Sequence, residues 1–247
     1  MSKIWINSEY RDSSNYIQSI PEIFDKEGTT IYKSRNEIKV FDVNGEMLNV
    51  KSFKIPILIN RIIYTFIRPS KAERSYLYAN ELLKRGFSTP KPVACMLFYH
   101  HGLLQKSYYI SQQLSEEFQT LYDVEVKSIE ENKELIVALV DFMLKLHAAG
   151  IYHKDFSPGN ILYRRVGDQV QFCLVDLNRM HFGPVSVEKG CSNFSRLWGK
   201  EDKIRFMVTL YAKARNADPE KCIEHALLKR RKYWERYKRK RTIPFEI

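Results

Sequence analysis

The run ENKELIVALVDFMLKLHAAG, residues 131–150, limits the folds that this chain can adopt. Its apolar side chains recur at helical spacing in two adjacent rows, Leu135, Leu139, Phe142 and Leu146 in one and Ile136, Val140 and Met143 in the other. A helix that is apolar over so much of its surface belongs in a protein core. The run ends at Gly150, and the chain passes directly into YHKDFSPGN. We therefore predict a buried central helix that leads straight into a polar loop.

The first half of the chain has the pattern of a small sheet with one helix. TTIYKS, NEIKVFDV and MLNVKSF alternate apolar and polar residues, and Asn44-Gly45 predicts a tight turn between the last two. SKAERSYLYANELLKRG follows as a helix, with Ser70 as N-cap, Glu73 completing a capping box, and Gly86 as the stop. Two further strand-like runs, PVACMLFYH and KSYYISQQL, give the order β-β-β-α-β-β, ending near Leu114.

The second half is mainly helical. Beyond the polar loop, the strand-like runs ILYRRV and VQFCLVD bracket Gly167-Asp168, and helical patterns fill the remainder. We predict an α+β protein of two lobes, with an antiparallel sheet and one main helix in residues 1–114 and a mostly helical lobe in residues 115–247.

Composition narrows the class of protein. Hydrophobic residues make up 44% of the chain and aromatic residues 13%, which is globular rather than disordered. The N-terminus has no secretory signal pattern, and the apolar run from Ile55 to Ile67 is interrupted by Asn60 and Arg61 and too short to span a bilayer. Four cysteines without a CxxC pair suit a reducing cytosol.

The positive charge is concentrated near the C-terminus. Nine Lys or Arg oppose one Glu between Lys229 and Arg241, which accounts for +8 of the formal net charge of +11. Such a segment is either a solvated, partly helical tail or a contact with anionic lipid head groups or a phosphorylated substrate. No recognised base-reading motif accompanies the charge, which disfavours nucleic acid as the partner.

The loop IYHKDFSPGNILY carries the residue types that phosphoryl transfer needs. The reaction uses a carboxylate that accepts the proton of the attacking hydroxyl, and oxygen ligands for the Mg²⁺ that neutralises the phosphates. His153, Asp155 and Asn160 keep the kinase spacing H-x-D-x-x-x-x-N, in which the Asp is the base and the Asn binds metal. An ordinary turn around Pro158-Gly159 explains the same letters, so this motif alone is only suggestive.

A second carboxylate strengthens the case. Asp176 ends the strand-like run FCLVD sixteen residues after Asn160, where a kinase has its metal-binding DFG aspartate. The triplet here is Asp176-Leu177-Asn178, which keeps the ligand but lacks Phe and Gly. We therefore expect Asn160 and Asp176 to hold Mg²⁺, against the plainer possibility that Asp176 is a turn residue.

A phosphate-binding lysine is expected on the third strand. Lys51 in LNVKSF has that place, and its strand position favours it over Lys54. The following helix offers Glu73 and Glu81 as its ion-pair partner, and we favour Glu73, although the capping box explains that residue equally well. His153 is expected to be a structural group that bonds backbone near the metal loop. Lys154, in the slot of the kinase HRD arginine, is expected near the transferred phosphate.

With these residues in place, the chain resembles the lipopolysaccharide kinases of the Kdo/WaaP type, a branch of the protein-kinase-like superfamily. The resemblance runs from about Gly28 to about Met180. It rests on EGTTIYKSRNEIKVF, NVKSF, FIRPSKAERS with STPKPVA, HKDFSPGNILY and VDLNRM.

The resemblance implies a kinase-like two-lobe fold and ATP- and Mg²⁺-dependent transfer of phosphate to a sugar hydroxyl, Kdo or heptose, of the lipopolysaccharide inner core. It makes Asp155 the catalytic base, Asn160 and Asp176 the metal ligands, and Lys51 the phosphate-binding lysine. It also implies a cytoplasmic enzyme with an anionic glycolipid or sugar acceptor. The basic C-terminus would hold such an enzyme against the inner membrane.

Two departures keep alternatives open. No G-x-G-x-x-G loop is present, so Ser34, Arg35 and Asn36, at the first predicted turn, become the candidates for nucleotide phosphate contact. No A-P-E segment follows Asp176, which disfavours a protein kinase acting on Ser, Thr or Tyr. A nucleotide-binding pseudokinase is the other alternative, and the presence of all four key residues argues against it.

Overall fold

A computed structural model describes residues 1–122, 128–239 and 242 of the chain. The chain divides into two compact units, Met1–Ser115 and Glu116–Ile247, here called the N-terminal and C-terminal units. The mixed architecture of an antiparallel sheet followed by a mostly helical region confirms the predicted fold class.

The N-terminal unit is built on a six-stranded antiparallel sheet with the order β1-β5-β6-β4-β3-β2. Its strands are β1 (Ser2–Ile6), β2 (Thr29–Lys33), β3 (Glu37–Val43), β4 (Glu46–Phe53), β5 (Pro92–His100) and β6 (Leu103–Gln112). The predicted meander is present as β2, β3 and β4. Asn44 and Gly45 both have positive φ, 57° and 85°, as a two-residue turn matched to the twist of a hairpin requires.

Three helices accompany this sheet: α1 (Ser14–Ile23), α2 (Leu58–Phe66) and α3 (Lys71–Lys84). The predicted helix is α3, and both halves of its capping box are formed between Ser70 and Glu73. The sequence-based order was wrong in omitting β1, α1 and α2. Most of β1 is exposed and α1 contains Pro21, so neither has a clean periodic signal.

The sheet buries both of its faces. On one face, Ile17 and Ile20 of α1 pack into a cluster with Phe41, Val50 and Met96. On the other face, Ala72 of α3 packs with Phe53, Cys95, Leu97 and Leu104. The residues of β4 and β5 that alternate with the α1 cluster therefore face α3.

The C-terminal unit is organised around the predicted central helix, α4 (Ile129–Ala148). Six of its apolar side chains are buried: Leu135, Ile136, Leu139, Val140, Met143 and Leu146. Ser128 and Glu131 form a second capping box at its start. Among the described residues, the other strands and α-helices of this unit are β7 (Gln119–Thr120), β8 (Ile151–His153), β9 (Ile161–Val166), β10 (Gln169–Leu174), β11 (Met180–Phe182), α5 (Val187–Cys191), α6 (Glu201–Ala214) and α7 (Pro219–Lys238).

The basic C-terminal segment is helical as far as α7 extends. Its Arg230 and Trp234 are almost fully buried, so the segment is more than a solvated tail. Residues 240 and 241 of that predicted segment lie outside the described residues. Within the described ranges, no helix has the length and apolar character needed to cross a membrane.

Candidate active site

The two predicted catalytic loops are joined by a small sheet. β8 pairs antiparallel with β11, with His153 opposite Met180. Asp155 follows β8 and Asp176 precedes β11, so this pairing brings the two loops together. The Lys154 N–H donates to the Arg179 carbonyl at 3.1 Å and extends the connection by one more bond.

His153 ties these loops together from inside the protein. Its Nδ1 accepts the N–H of Asp155 at 3.1 Å, so Nε2 carries the proton and donates to the carbonyl of Val175 at 3.2 Å. Burial lowers the pKa of His153, which keeps the ring neutral. This is the structural place that the sequence predicts for it.

Asn160 continues the same network. Its Nδ2 donates to the backbone carbonyl of Asp155 at 2.9 Å, and its own carbonyl accepts the N–H of Val175 at 3.0 Å. The amide nitrogen is therefore engaged, and Oδ1 is the atom of Asn160 that can ligate a metal. Pro158 and Gly159 form the short 3₁₀ turn that sets this geometry.

Asp176 adopts a left-handed backbone conformation, φ 55° and ψ 51°, which Asp tolerates better than most residues. Its Oδ1 accepts Asn178 Nδ2 at 2.7 Å. The described residues contain no cluster of three or more His, Cys, Asp or Glu that could hold a metal. One carboxylate and one amide oxygen nevertheless fit Mg²⁺, because this ion takes few protein ligands and fills its shell with phosphate oxygens and water.

Two arginines that the sequence reasoning did not assign contact Asp155. Arg179 Nη1 donates to its Oδ2 at 3.0 Å, and Arg196 Nη1 donates to its Oδ1. Arg179 belongs to the VDLNRM run, which could have drawn attention to it. Arg196 lies 41 residues beyond Asp155 and carries no local signal.

In the N-terminal unit, Lys51 lies on the α3 side of the sheet. It is opposite Tyr109, which is itself opposite Cys95 of the α3-facing cluster. The Nζ of Lys51 is 5.3 Å from the centre of the Phe53 ring. Lys51 is half-buried whereas Lys54 is exposed, which favours Lys51 as the functional lysine.

Glu73 lies on the same side of this sheet. Burial is the first cause that raises the pKa of the Cys95 thiol and of the Tyr99 hydroxyl, and the nearby Glu73 carboxylate raises both further. Glu81 is instead ion-paired with Arg85 at 2.6 Å. These positions favour Glu73 over Glu81 as the acidic residue that serves Lys51.

The turn between β2 and β3 contains Ser34, Arg35 and Asn36, the candidates for nucleotide phosphate contact. The Ser34 N–H donates to the Asn36 carbonyl at 3.0 Å. The side-chain oxygen of Asn36 accepts the N–H of Lys54 at 3.2 Å, which fastens the turn to the end of β4. The Arg35 side chain is exposed at this turn.

The fold of this chain is similar to that of a protein of known structure. A solved structure described as WaaP in complex with acyl carrier protein matches with a TM-score of 0.65 over 95% of this chain and 99% of that chain. Its sequence identity is 13%, so this likeness concerns the fold alone. The search of curated proteins gave no match.

A family model matches residues 37–197, which is more than half of the chain and includes Lys51, Asp155, Asn160 and Asp176. That model describes the lipopolysaccharide kinase (Kdo/WaaP) family, whose members are kinases acting on a sugar hydroxyl. The chain therefore belongs to the lipopolysaccharide kinase (Kdo/WaaP) family.

Proposed function

We propose that this protein transfers the γ-phosphate of ATP, with Mg²⁺, to a sugar hydroxyl of the lipopolysaccharide inner core, on Kdo or heptose. The supporting observation is a single hydrogen-bond network among four residues of the two loops: His153, Asp155, Asn160 and Val175, which directly precedes Asp176. These contacts support the proposal, because phosphoryl transfer depends on positioning and they connect the proposed base to Asn160 and to the residue that precedes Asp176.

Asp155 is the proposed base that accepts the proton of the attacking hydroxyl. Its carboxylate offers about four acceptor positions, so the bonds from Arg179 and Arg196 leave room for a hydroxyl donor. The two guanidinium groups fix the carboxylate orientation, and they add positive charge beside the phosphoryl group in transit.

Asn160 Oδ1 and the Asp176 carboxylate are the proposed Mg²⁺ ligands. Bound there, the ion would neutralise charge on the nucleotide phosphates. Lys51, with Glu73 on the same side of the sheet, is the proposed contact to the α- and β-phosphates. Ser34, Arg35 and Asn36 are proposed to cover the phosphates through backbone N–H groups and the Arg35 guanidinium, because the Asn36 side chain already bonds Lys54.

We propose that the reaction takes place at the cytoplasmic face of the inner membrane, where ATP meets a lipid-linked acceptor. The basic charge of α7 supports a peripheral association with anionic material at that surface. A pelleting assay with inner-membrane vesicles tests this part separately from catalysis.

The test of the reaction is transfer of labelled phosphate from ATP to lipopolysaccharide core acceptors. Wild-type protein should phosphorylate the acceptor only with a divalent cation, and Asp155→Asn should lower kcat by about a thousandfold, as loss of a catalytic base does. Asp168→Asn is the matched control, because Asp168 is an exposed carboxylate in the β9–β10 turn. Undiminished turnover in Asp155→Asn would exclude the proposed base.

A further inference from the structure

A cavity of about 350 Å³ in the C-terminal unit has basic residues as half of its lining. Five basic side chains contribute to it: Lys154, Arg196, Lys229, Lys232 and Arg236. Arg196 also bonds the Asp155 carboxylate, and Lys154 is the residue before it. The cavity is therefore connected directly to the proposed base.

The basic helix α7 forms one wall of this cavity through a single face. Lys229, Lys232, Tyr233 and Arg236 recur at intervals of three and four residues, which places them on one side of a helix. Arg230 lies between them in sequence but is buried, where its guanidinium donates to the carbonyls of Leu197 and Gly199. The anchoring of Arg230 fixes the rotation of α7 and so the direction of the cationic face.

The charge of this wall is not balanced by acidic groups. No acidic side chain lines the cavity, and within the described ranges Lys154, Lys229, Lys232 and Arg236 take part in no ion pair. Tyr233 adds a rigid aromatic surface, with the Arg196 guanidinium 4.7 Å from its ring centre. Like charges gathered in a concave site repel one another, and an anion with several oxygens relieves that repulsion.

We propose that this cavity binds an anionic group of the acceptor, a phosphate or a sugar carboxylate, and thereby brings the neighbouring hydroxyl to Asp155. This assignment rests on the proposed function and adds a specificity element to it. An acceptor that has no phosphate or carboxylate near the reacting hydroxyl should be a poor substrate, whether that hydroxyl belongs to Kdo or to heptose. The basic segment thus serves substrate recognition through Lys229, Lys232 and Arg236.

The binding test uses no turnover. Glucose 6-phosphate and free Kdo, a sugar carboxylate, are titrated calorimetrically into the full chain at constant ionic strength. At least one should bind, and Lys232→Ala/Arg236→Ala should weaken that binding about tenfold or more, the change expected from losing a charge-assisted hydrogen bond. Arg231→Ala is the control, because Arg231 is exposed on the same helix and does not line the cavity.

Binding of the phosphate sugar alone, or of the carboxylate sugar alone, identifies which anion the cavity takes. Binding of neither, or equal loss in the Arg231→Ala control, overturns the proposal. In turnover assays, the double variant should raise KM for the acceptor about tenfold while KM for ATP stays nearly constant. Variant-sensitive anion binding without any phosphate transfer would contradict the proposed function and leave the cavity assignment standing.

A second, independent feature is the apolar surface of the N-terminal unit around α2. Large hydrophobic side chains there are 43–74% exposed: Ile55, Ile57, Leu58, Ile59, Ile62, Phe66 and Ile67. The polar side of the helix is turned to the sheet, where Arg61 Nε donates to the Leu104 carbonyl and Thr65 Oγ1 accepts the Leu104 N–H. The helix is therefore fixed with its apolar face outward.

The charge around this face favours a lipid surface as its partner. Residues 54–72 contain no acidic residue. Besides Arg61, which bonds the sheet, they contain three cations, Lys54, Arg68 and Lys71. An amphipathic helix with an exposed apolar face and flanking cations is typical of segments that lie in the interface of an anionic membrane. We infer that α2 inserts its apolar face into an anionic lipid bilayer.

The test is co-sedimentation of the full chain with phosphatidylethanolamine vesicles that contain or lack phosphatidylglycerol. Wild-type protein should pellet with the anionic vesicles. Ile59→Ser/Phe66→Ser should lower the affinity for them about a hundredfold or more, since two large apolar side chains no longer enter the bilayer. Val166→Ser, a valine 47% exposed at the end of β9, should have no effect. Unchanged pelleting in the double variant overturns the inference, as does concentration-dependent dimerisation that the same variant abolishes.

Discussion

Acidification should destabilise this protein through His147. The ring is buried on α4, where Nδ1 accepts the Tyr211 hydroxyl at 2.8 Å and Nε2 donates to Asn193 Oδ1 at 2.9 Å. Asn193 Nδ2 in turn donates to the backbone carbonyl of His153 at 2.9 Å, so this network supports the candidate catalytic loop. Burial lowers the pKa of His147 to about 4, from the ordinary value of 6.5.

The size of the effect follows from the two pKa values. Below pH 6.5 the unfolded chain takes up a proton at His147 that the folded protein does not accept until about pH 4. The stability contributed by the neutral ring is complete above about pH 6.5 and is lost progressively as the pH falls. Between about pH 7 and about pH 5, the loss from His147 amounts to about 2 kcal/mol. The lowered pKa of His153 acts in the same direction.

Urea unfolding at a series of pH values measures this dependence. The wild-type free energy of unfolding should fall by at least about 2 kcal/mol across that interval, most of it above the range in which carboxylates titrate. His147→Gln should be less stable at neutral pH but should lose about 2 kcal/mol less on acidification. His100→Gln, an exposed histidine, is the control. An equally steep loss in His147→Gln would refute the assignment.

Three other substitutions test the packing and the proposed metal ligand Asp176. Gly190→Ala should lower the free energy of unfolding in urea by about 1–3 kcal/mol. The reason is that the added Cβ would lie 2.0 Å from the Tyr211 hydroxyl oxygen. An unchanged free energy of unfolding would mean that this contact can relax. Arg230→Met should lower stability by about 3 kcal/mol, since two buried carbonyls lose their donors; an unchanged midpoint would show that α7 is not anchored there. Asp176→Asn keeps a side-chain oxygen for Asn178 but removes a negative charge. Tm should therefore change little, while kcat at saturating Mg²⁺ should fall about a hundredfold or more. A kcat equal to that of the wild type would exclude Asp176 as a ligand.

Much of the fold could be predicted because its signals are local. The Asn44-Gly45 turn, the capping box at Ser70 and the apolar rows of the central helix are each written within a few residues. The structure contains all three. β1 and α2 escaped prediction for the opposite reason. β1 joins the sheet by pairing with β5, some ninety residues later, and α2 has its apolar side in solvent, so neither follows the rule that apolar faces are buried.

The candidate site likewise contains some residues that the sequence indicates and others that only the packing of the chain brings in. The spacing of Asp155, Asn160 and Asp176 indicated which loops form the candidate site, because each loop directly follows or precedes a strand, and the structure joins those loops. Arg196 and the cationic face of α7 were not indicated, since they approach Asp155 only through packing of distant parts of the C-terminal unit. The basic segment was visible in the sequence, but its direction depends on the burial of Arg230.

The measurement that bears most directly on the central claim is phosphate transfer from ATP to the lipopolysaccharide inner core, with the product located by NMR. We expect wild-type protein and the Asp168→Asn control to place phosphate on a Kdo or heptose hydroxyl. Asp155→Asn should bind Mg²⁺-ATP normally and transfer about a thousandfold more slowly. Normal Mg²⁺-ATP binding by the wild type, with no transfer to any core acceptor, would contradict the account.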